Sequence, residues 1–205
     1  MGAADRPLVA VLDYGIGNLR SAQKALARAG ADARLTADTG LAADAAGVVL
    51  PGVGAFGRCA EALRVTGLEP VARDAVASGR PFLGICIGMQ LLYDASDETP
   101  GVAGLGVLPG TIRLLPDTVK RPQMQWNRLH ARRPSKLLEG LGDDPWVYFV
   151  HSYAAEDGDD VTATADYGGE VAALVERGNV AATQFHPEKS GANGLRILAN
   201  WVGAL

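Results

Sequence analysis

The sequence predicts a three-layer α/β fold, a mostly parallel central sheet with helices on both faces, joined to a smaller and more antiparallel β region. Three observations carry that expectation. Short apolar runs alternate with amphipathic segments through the first half of the chain, and glycines stand where helices should stop. Beyond about Gly101 the helical periodicity gives way to short β-like pieces divided by turns.

Leu8-Val9-Ala10-Val11-Leu12 is a continuous apolar run ended by Asp13-Tyr14-Gly15, the pattern of a strand buried on both faces. Along Asn18 to Ala29, Leu19, Ala22, Leu26 and Ala29 recur at spacings of three and four, and Gly30 marks the helix end. Ala33 to Thr36 and Gly47 to Leu50 read as the next strands. A helix is expected from about Arg58 to Ser78, closed by Gly79. Pro81 to Ile85 reads as a strand that passes almost without a loop into a helix over Gly88 to Asp94. In the second half the expected strands are Gly106 to Leu115, Trp146 to Ser152, Val161 to Ala165, Val171 to Val175 and Val180 to Gln184. A helix over Gly194 to Val202 follows them. Parallel sheets of this kind place their chemistry at the carboxyl ends of the strands.

With 205 residues, 48% of them hydrophobic and 20% charged, the chain has the length and apolar content of one ordinary domain, expected over residues 1–205. A formal net charge of -4 offers no basic field for nucleic acid or an anionic membrane surface. No apolar run is long enough to span a bilayer, and Met1 to Arg6 is too short and polar to begin a secretory signal, so a cytoplasmic location is expected. Two cysteines, Cys59 and Cys86, make neither a disulfide framework nor a metal-type pair; no metal or cofactor is expected.

Gly84-Ile85-Cys86-Ile87-Gly88 sits where a buried strand turns sharply into a helix, in the form of a nucleophile elbow with cysteine in the nucleophile's place. Flanking glycines remove the Cβ atoms that would crowd such a turn, so the thiol can project from the sheet. A helix N-terminus favours thiolate, and the Ile87 N–H points toward the space of a tetrahedral oxyanion. The bland alternative is a small buried residue at a tight turn. Cys59, inside a helical stretch, has no reactive setting.

A nucleophilic cysteine needs a base, and the candidates are His130, His151 and His186. His186 follows an apolar run in Gln184-Phe185-His186-Pro187-Glu188. If this stretch stays extended, Glu188 lies on the same side as His186 and can orient its ring. Cys86, His186 and Glu188 then form a triad in the order nucleophile, base, orienter. His130 sits in a basic, solvated segment, and His151 is left without a role. Pro51-Gly52-Val53-Gly54, at the end of a predicted strand, lets the backbone approach a ligand and supplies a candidate second oxyanion donor.

Together the segments Gly84-Ile85-Cys86-Ile87-Gly88-Met89-Gln90 and Phe185-His186-Pro187-Glu188 resemble the nucleophile and base motifs of the class I, triad-type glutamine amidotransferases. The likeness covers nearly the whole chain. Within that family the chain is most similar to glutaminase subunits of imidazole glycerol phosphate synthases, through Asp13-Tyr14-Gly15-Ile16-Gly17-Asn18-Leu19, Phe149-Val150-His151-Ser152-Tyr153 and His186-Pro187-Glu188-Lys189-Ser190-Gly191. The resemblance implies hydrolysis of L-glutamine, with Gly52, Gly54 and Gln90 at the amino acid end and Ser152 and Tyr153 closing the pocket. It further implies Val53 and Ile87 as oxyanion donors, the peptide around Val53 having to reorient. Ammonia is then delivered to a (β/α)8-barrel cyclase partner in histidine biosynthesis, docked at a face that includes Trp126, Asn127 and Tyr148. Where the family reads His-Met-Gly-Trp-Asn this chain has Gln123-Met124-Gln125-Trp126-Asn127, a departure at Gln123 and Gln125 that keeps Trp126 and Asn127 in place. A glutaminase subunit of a pyridoxal phosphate synthase and a non-enzymatic subunit with a vestigial site stand as the alternatives.

Overall fold

The computed structural model describes residues 6–17, 19–143 and 145–205. Asn18 of the motif above, and residues 1–5 of the leader reading, lie outside them.

The first half alternates as the apolar runs require. It comprises β1 (Leu8–Leu12), α1 (Leu19–Arg28), β2 (Asp32–Thr36), α2 (Thr39–Asp44), β3 (Gly47–Gly52), α3 (Phe56–Val65), α4 (Leu68–Ala77), β4 (Phe82–Cys86) and α5 (Ile87–Gln90). The second half adds β5 (Tyr93–Ser96), β6 (Leu108–Leu114), β7 (Gln123–Arg128), β8 (His130–Ala131), β9 (Trp146–His151), β10 (Tyr153–Ala154), β11 (Val161–Asp166), β12 (Glu170–Arg177), β13 (Val180–Thr183) and α6 (Gly191–Val202).

An eight-stranded sheet runs in the order β2-β1-β3-β4-β13-β12-β11-β8. Its strands are parallel from β2 to β13 and antiparallel from there to β8. β1, β3, β4 and β13 are buried almost throughout, which explains their unbroken apolar sequence. A three-stranded sheet β10-β6-β5 and the ribbon β7-β9 complete the β region. The expected fold class is the observed one.

Two details differ from the expectation. The helix expected from Arg58 to Ser78 is two helices, because Gly67 adopts a left-handed conformation (φ 71°) and its N–H bonds to the Arg64 carbonyl. The Thr66 hydroxyl donates to the carbonyl of Ala62, closing α3, and α4 restarts with Pro70 in its first turn. The helix expected over Gly88 to Asp94 stops at Gln90. The carbonyls of Leu91 and Leu92, which a continuing helix would need, accept instead from Leu105, Val107 and Leu108. The strand carrying the His186 segment lies inside the sheet, with β13 paired directly to β4.

Five elements have no counterpart in the expectation, α2, β7 and the short strands β5, β8 and β10. α2 is opened by Asp38, whose carboxylate accepts from the N–H groups of Gly40 and Leu41. β7 escaped notice because its alternation is inverted. Gln123 is fully buried, while Met124 and Trp126 face outward at 62% and 46% exposure.

Candidate active site

Cys86 ends β4 with φ 55° and ψ -110°, the one positive φ among the described non-glycine residues. Such a conformation is strained for a residue with a Cβ and persists only where its surroundings impose it. The surroundings do. A Cβ on Gly84 would come within 2.9 Å of the Gly88 carbonyl oxygen, and one on Gly88 would collide with the carbonyl oxygen of Leu50. Both elbow glycines are therefore demanded by packing as well as by the turn.

His186 arrives from the neighbouring strand. β13 pairs with β4 in the register Ala182 with Gly84 and Thr183 with Ile85, so the chain leaving β13 passes over the elbow. Phe185 is buried against Phe149, with ring centroids 5.8 Å apart, and anchors that passage. The His186 N–H donates to the Tyr148 carbonyl, and the Ser190 hydroxyl donates to the His186 carbonyl at 2.6 Å. Glu188 does meet the ring, with Oε1 2.7 Å from Nδ1, but through a 3-10 turn over Pro187–Lys189 rather than an extended strand. A carboxylate can only accept here, so Nδ1 carries the proton and Nε2 is left for the sulfur.

The electrostatics follow from that arrangement. Burial by itself would lower the His186 pKa. Hydrogen bonds to Cys86 and Glu188, and the negative charge of both, outweigh it and raise the pKa to about 9. His151 is displaced the other way, to about 4. Burial is the main cause and the nearby His186 adds to it, against a hydrogen bond with the Tyr153 carbonyl. Its Nδ1 lies 3.0 Å from that carbonyl oxygen, which fixes the tautomer and leaves Nε2 as a buried acceptor with no protein partner.

A cleft of about 460 Å³ opens above the elbow. Of the residues expected at the site it is lined by Cys86, His186, Val53, Ile87, Gly54, Gln90, Ser152 and Tyr153, and additionally by Glu98, Pro122, His151 and Lys189. Glu188 stands behind His186, buried and outside the lining. Gly52 is also outside it. A Cβ there would come within 2.8 Å of Ile87, so Gly52 serves to let β3 lie against the elbow.

Gln184 was not singled out from the sequence and belongs to the site. It is fully buried, and its Nε2 points at the Cys86 sulfur from 3.8 Å while its Oε1 accepts from Gln90. A buried glutamine one step before an aromatic anchor carries no local signal; only the pairing of β13 with β4 reveals it.

The ribbon β7-β9 flanks the cleft. Trp126 meets Tyr148 edge to face with centroids 6.1 Å apart, and Arg128 lies 5.3 Å over the ring of Trp146, itself 45% exposed. Asn127 is turned inward, its amide donating to the Asp166 carbonyl and thereby tying the ribbon to β11. Gln123, opposite His151 in the ribbon's register, is fully buried with neither amide atom partnered by protein. Among the described residues no helix is long and apolar enough to cross a membrane.

This fold, with a cysteine elbow facing a carboxylate-backed histidine, is matched by the family model for class-I glutamine amidotransferases over residues 10–204; the chain belongs to that family. Solved structures share the architecture. A crystal structure of a glutamine amidotransferase aligns with TM-score 0.74 and 24% identity over 95% of this chain and 98% of the other. PurLQS from Thermotoga maritima aligns with TM-score 0.77 and 22% identity over 97% and 99%.

The curated relatives are more particular. An imidazole glycerol phosphate synthase subunit HisH from Deinococcus radiodurans is 49% identical, the match covering 95% of this chain and 93% of that protein. The subunit of the same name from Methanothermobacter thermautotrophicus is 48% identical over 95% and 98%.

Proposed function

We propose that this chain is the glutaminase subunit of an imidazole glycerol phosphate synthase, a single domain that hydrolyses L-glutamine in histidine biosynthesis and hands ammonia to its synthase partner. Relatives of that name at 48% and 49% identity, aligned over nearly their full lengths, support this assignment over another ammonia-dependent synthase such as one for pyridoxal phosphate. The observation that carries the chemistry is the placement of Cys86 and His186 together in the lining of one cleft, with the Glu188 carboxylate 2.7 Å behind the His186 ring.

In the proposed reaction the Cys86 sulfur attacks the side-chain amide carbon of glutamine. The N–H groups of Ile87 and Val53 receive the negative charge that develops on the amide oxygen. His186, holding a proton between sulfur and carboxylate, gives it to the leaving nitrogen as the C–N bond breaks, and ammonia departs from a thioester. Water then passes a proton to His186 and attacks the same carbon, expelling the thiolate and releasing glutamate. Gln184 steadies the sulfur, and Glu188 holds the ring in the required tautomer.

Substrate recognition falls to the other lining residues. Gln90 gives its amide N–H groups to the Tyr153 carbonyl and to Gln184, so its unpartnered Oε1 is available to a substrate ammonium group. Gly54, Ser152 and Tyr153 complete that end. The partner is a (β/α)8-barrel cyclase, working with this subunit in the cytoplasm. It docks on the ribbon face where Trp126 and Tyr148 stand, with Asn127 bracing the ribbon from beneath.

The test is substitution of the nucleophile in the assembled synthase. Cys86→Ala should reduce glutamine-dependent synthesis by on the order of 10⁴-fold or more while synthesis from ammonium salts continues at the parent rate. Loss of both activities, or of neither, overturns the assignment of Cys86.

A further inference from the structure

The second cysteine has no reactive setting in the sequence, yet it lies beneath the glycine strand that faces the nucleophile. Cys59 is fully buried on α3, and its thiol donates to the Val53 carbonyl, with sulfur and oxygen 3.4 Å apart. Tyr14, at 1% exposure, donates its hydroxyl to the Pro51 carbonyl at 2.5 Å and stands next to Cys59. Burial pushes the Cys59 thiol up to about 11 and the Tyr14 hydroxyl well above its ordinary range, so both keep the donated proton at neutral pH.

The positions of the two acceptors matter. The Pro51 carbonyl belongs to the peptide before the Gly52–Val53 peptide, and the Val53 carbonyl to the peptide after it. The Val53 N–H belongs to the peptide between. Two torsions turn this unit, ψ of Gly52 and φ of Val53, and turning them together leaves the neighbouring peptides in place; Gly52 carries no Cβ to oppose its share. Held on each side, the neighbouring peptides confine any turn to this unit. Gly52 adds a close approach, since a Cβ there would come within 2.8 Å of the Tyr14 hydroxyl. Further along, Glu98 accepts from the Phe56 N–H at 2.6 Å and the Thr99 hydroxyl from the Gly57 N–H at 3.3 Å, holding the segment where it enters α3.

We propose that Cys59 and Tyr14 are positioning residues, a pair of side-chain clamps that hold the peptides before and after Gly52–Val53, so that this peptide alone turns to bring the Val53 N–H to the reacting amide oxygen. Neither touches substrate. The inference rests on the reading of Val53 as an oxyanion donor.

The experiment compares two reactions of Cys86 in the complex of this chain with its synthase partner. Glutamine hydrolysis builds an oxyanion. Alkylation by iodoacetamide, a displacement at saturated carbon, builds none and reports only the sulfur and its base. Cys59→Ala should lower kcat for glutamine about tenfold, with KM and the alkylation rate within about twofold of the parent. Tyr14→Phe should show the same split, and Cys59→Ser, which keeps a donor, should recover part of the loss. An unchanged kcat in both Cys59→Ala and Tyr14→Phe overturns the clamp. So does a fall in kcat matched by an equal fall in alkylation, which is general loosening of the site. If Cys59→Ala does not fold, Tyr14→Phe alone supplies the comparison of kcat with alkylation, and an unchanged kcat there overturns the clamp. A parent complex that hydrolyses no glutamine defeats the functional reading; a parent that does, with all three variants unaltered, defeats the clamp alone.

Discussion

The elbow and the β7-β9 ribbon border one cleft and are built on opposite principles. Around Cys86 the elbow residues Gly84 to Gln90 are buried, the backbone is strained, and glycines stand where a Cβ would strike neighbouring backbone. On the outer face of the ribbon Met124, Trp126 and Trp146 present large apolar surface to solvent. The elbow is specified by contacts within the chain, whereas the ribbon's outward aromatics stay about half exposed after folding and make sense as surface kept for a partner. A site that must hold a sulfur and a ring in register needs rigidity, and a face that must receive another molecule needs unspent area.

Gly88→Ala tests that contrast most severely. Its new Cβ would be driven into the Leu50 carbonyl, with a backbone neighbour that cannot step aside. A loss of about 3 kcal/mol or more is expected in denaturant unfolding; a stability near the parent's would mean the elbow is softer than its packing implies.

Glu188→Gln acts on charge more than on packing. The folded pKa of His186, about 9, lies above its ordinary 6.5, so the stability this group contributes is fully present below about 6.5 and is lost as pH rises through about 9. Removing the carboxylate takes away one of the two causes of that elevation. The His186 titration followed by NMR should move down, the stability decline between those pH values should flatten, and kcat should fall by about 10²-fold. A titration that stays near 9 would assign the elevation to Cys86 alone.

The ribbon answers differently. Trp126→Ala should leave the stability of the isolated subunit within about 0.5 kcal/mol yet weaken binding of the synthase partner by about 2 kcal/mol in calorimetry. Equal effects on both would erase the distinction between the two regions. The smallest effect is expected beneath the ribbon, where Gln123 buries two unpartnered amide atoms. Gln123→Met keeps the volume and removes the desolvation cost, so thermal unfolding should report a change within about 1 kcal/mol, toward greater stability. A large loss would show that the amide is engaged.

Much of the fold was legible because buried parallel strands leave unbroken apolar runs, as at Leu8–Leu12 and Val180–Thr183, and because Gly30 and Gly79 stop helices where they stand. What failed did so for identifiable reasons. The break at Gly67 was visible in Thr66-Gly67 but hidden by continuous helical spacing around it. The early end of α5 was not visible at all, since it depends on Leu105 to Leu108 taking the carbonyls of Leu91 and Leu92. β7 has its apolar residues on the outside, the reverse of what a pattern search assumes.

The same division runs through the site. Cys86 between its glycines, and His186 with Glu188 two residues on, were determined by sequence alone, because a strained turn and a short-range carboxylate–imidazole pair are local requirements with local signatures. Sheet order was not. The step from β4 to β13 joins strands almost a hundred residues apart and places Gln184 at the sulfur, while the packing of α3 under β3 brings Cys59 to the Val53 carbonyl. Those contacts exist only once the chain has closed on itself, since hydrogen bonds between distant segments leave no periodicity in either.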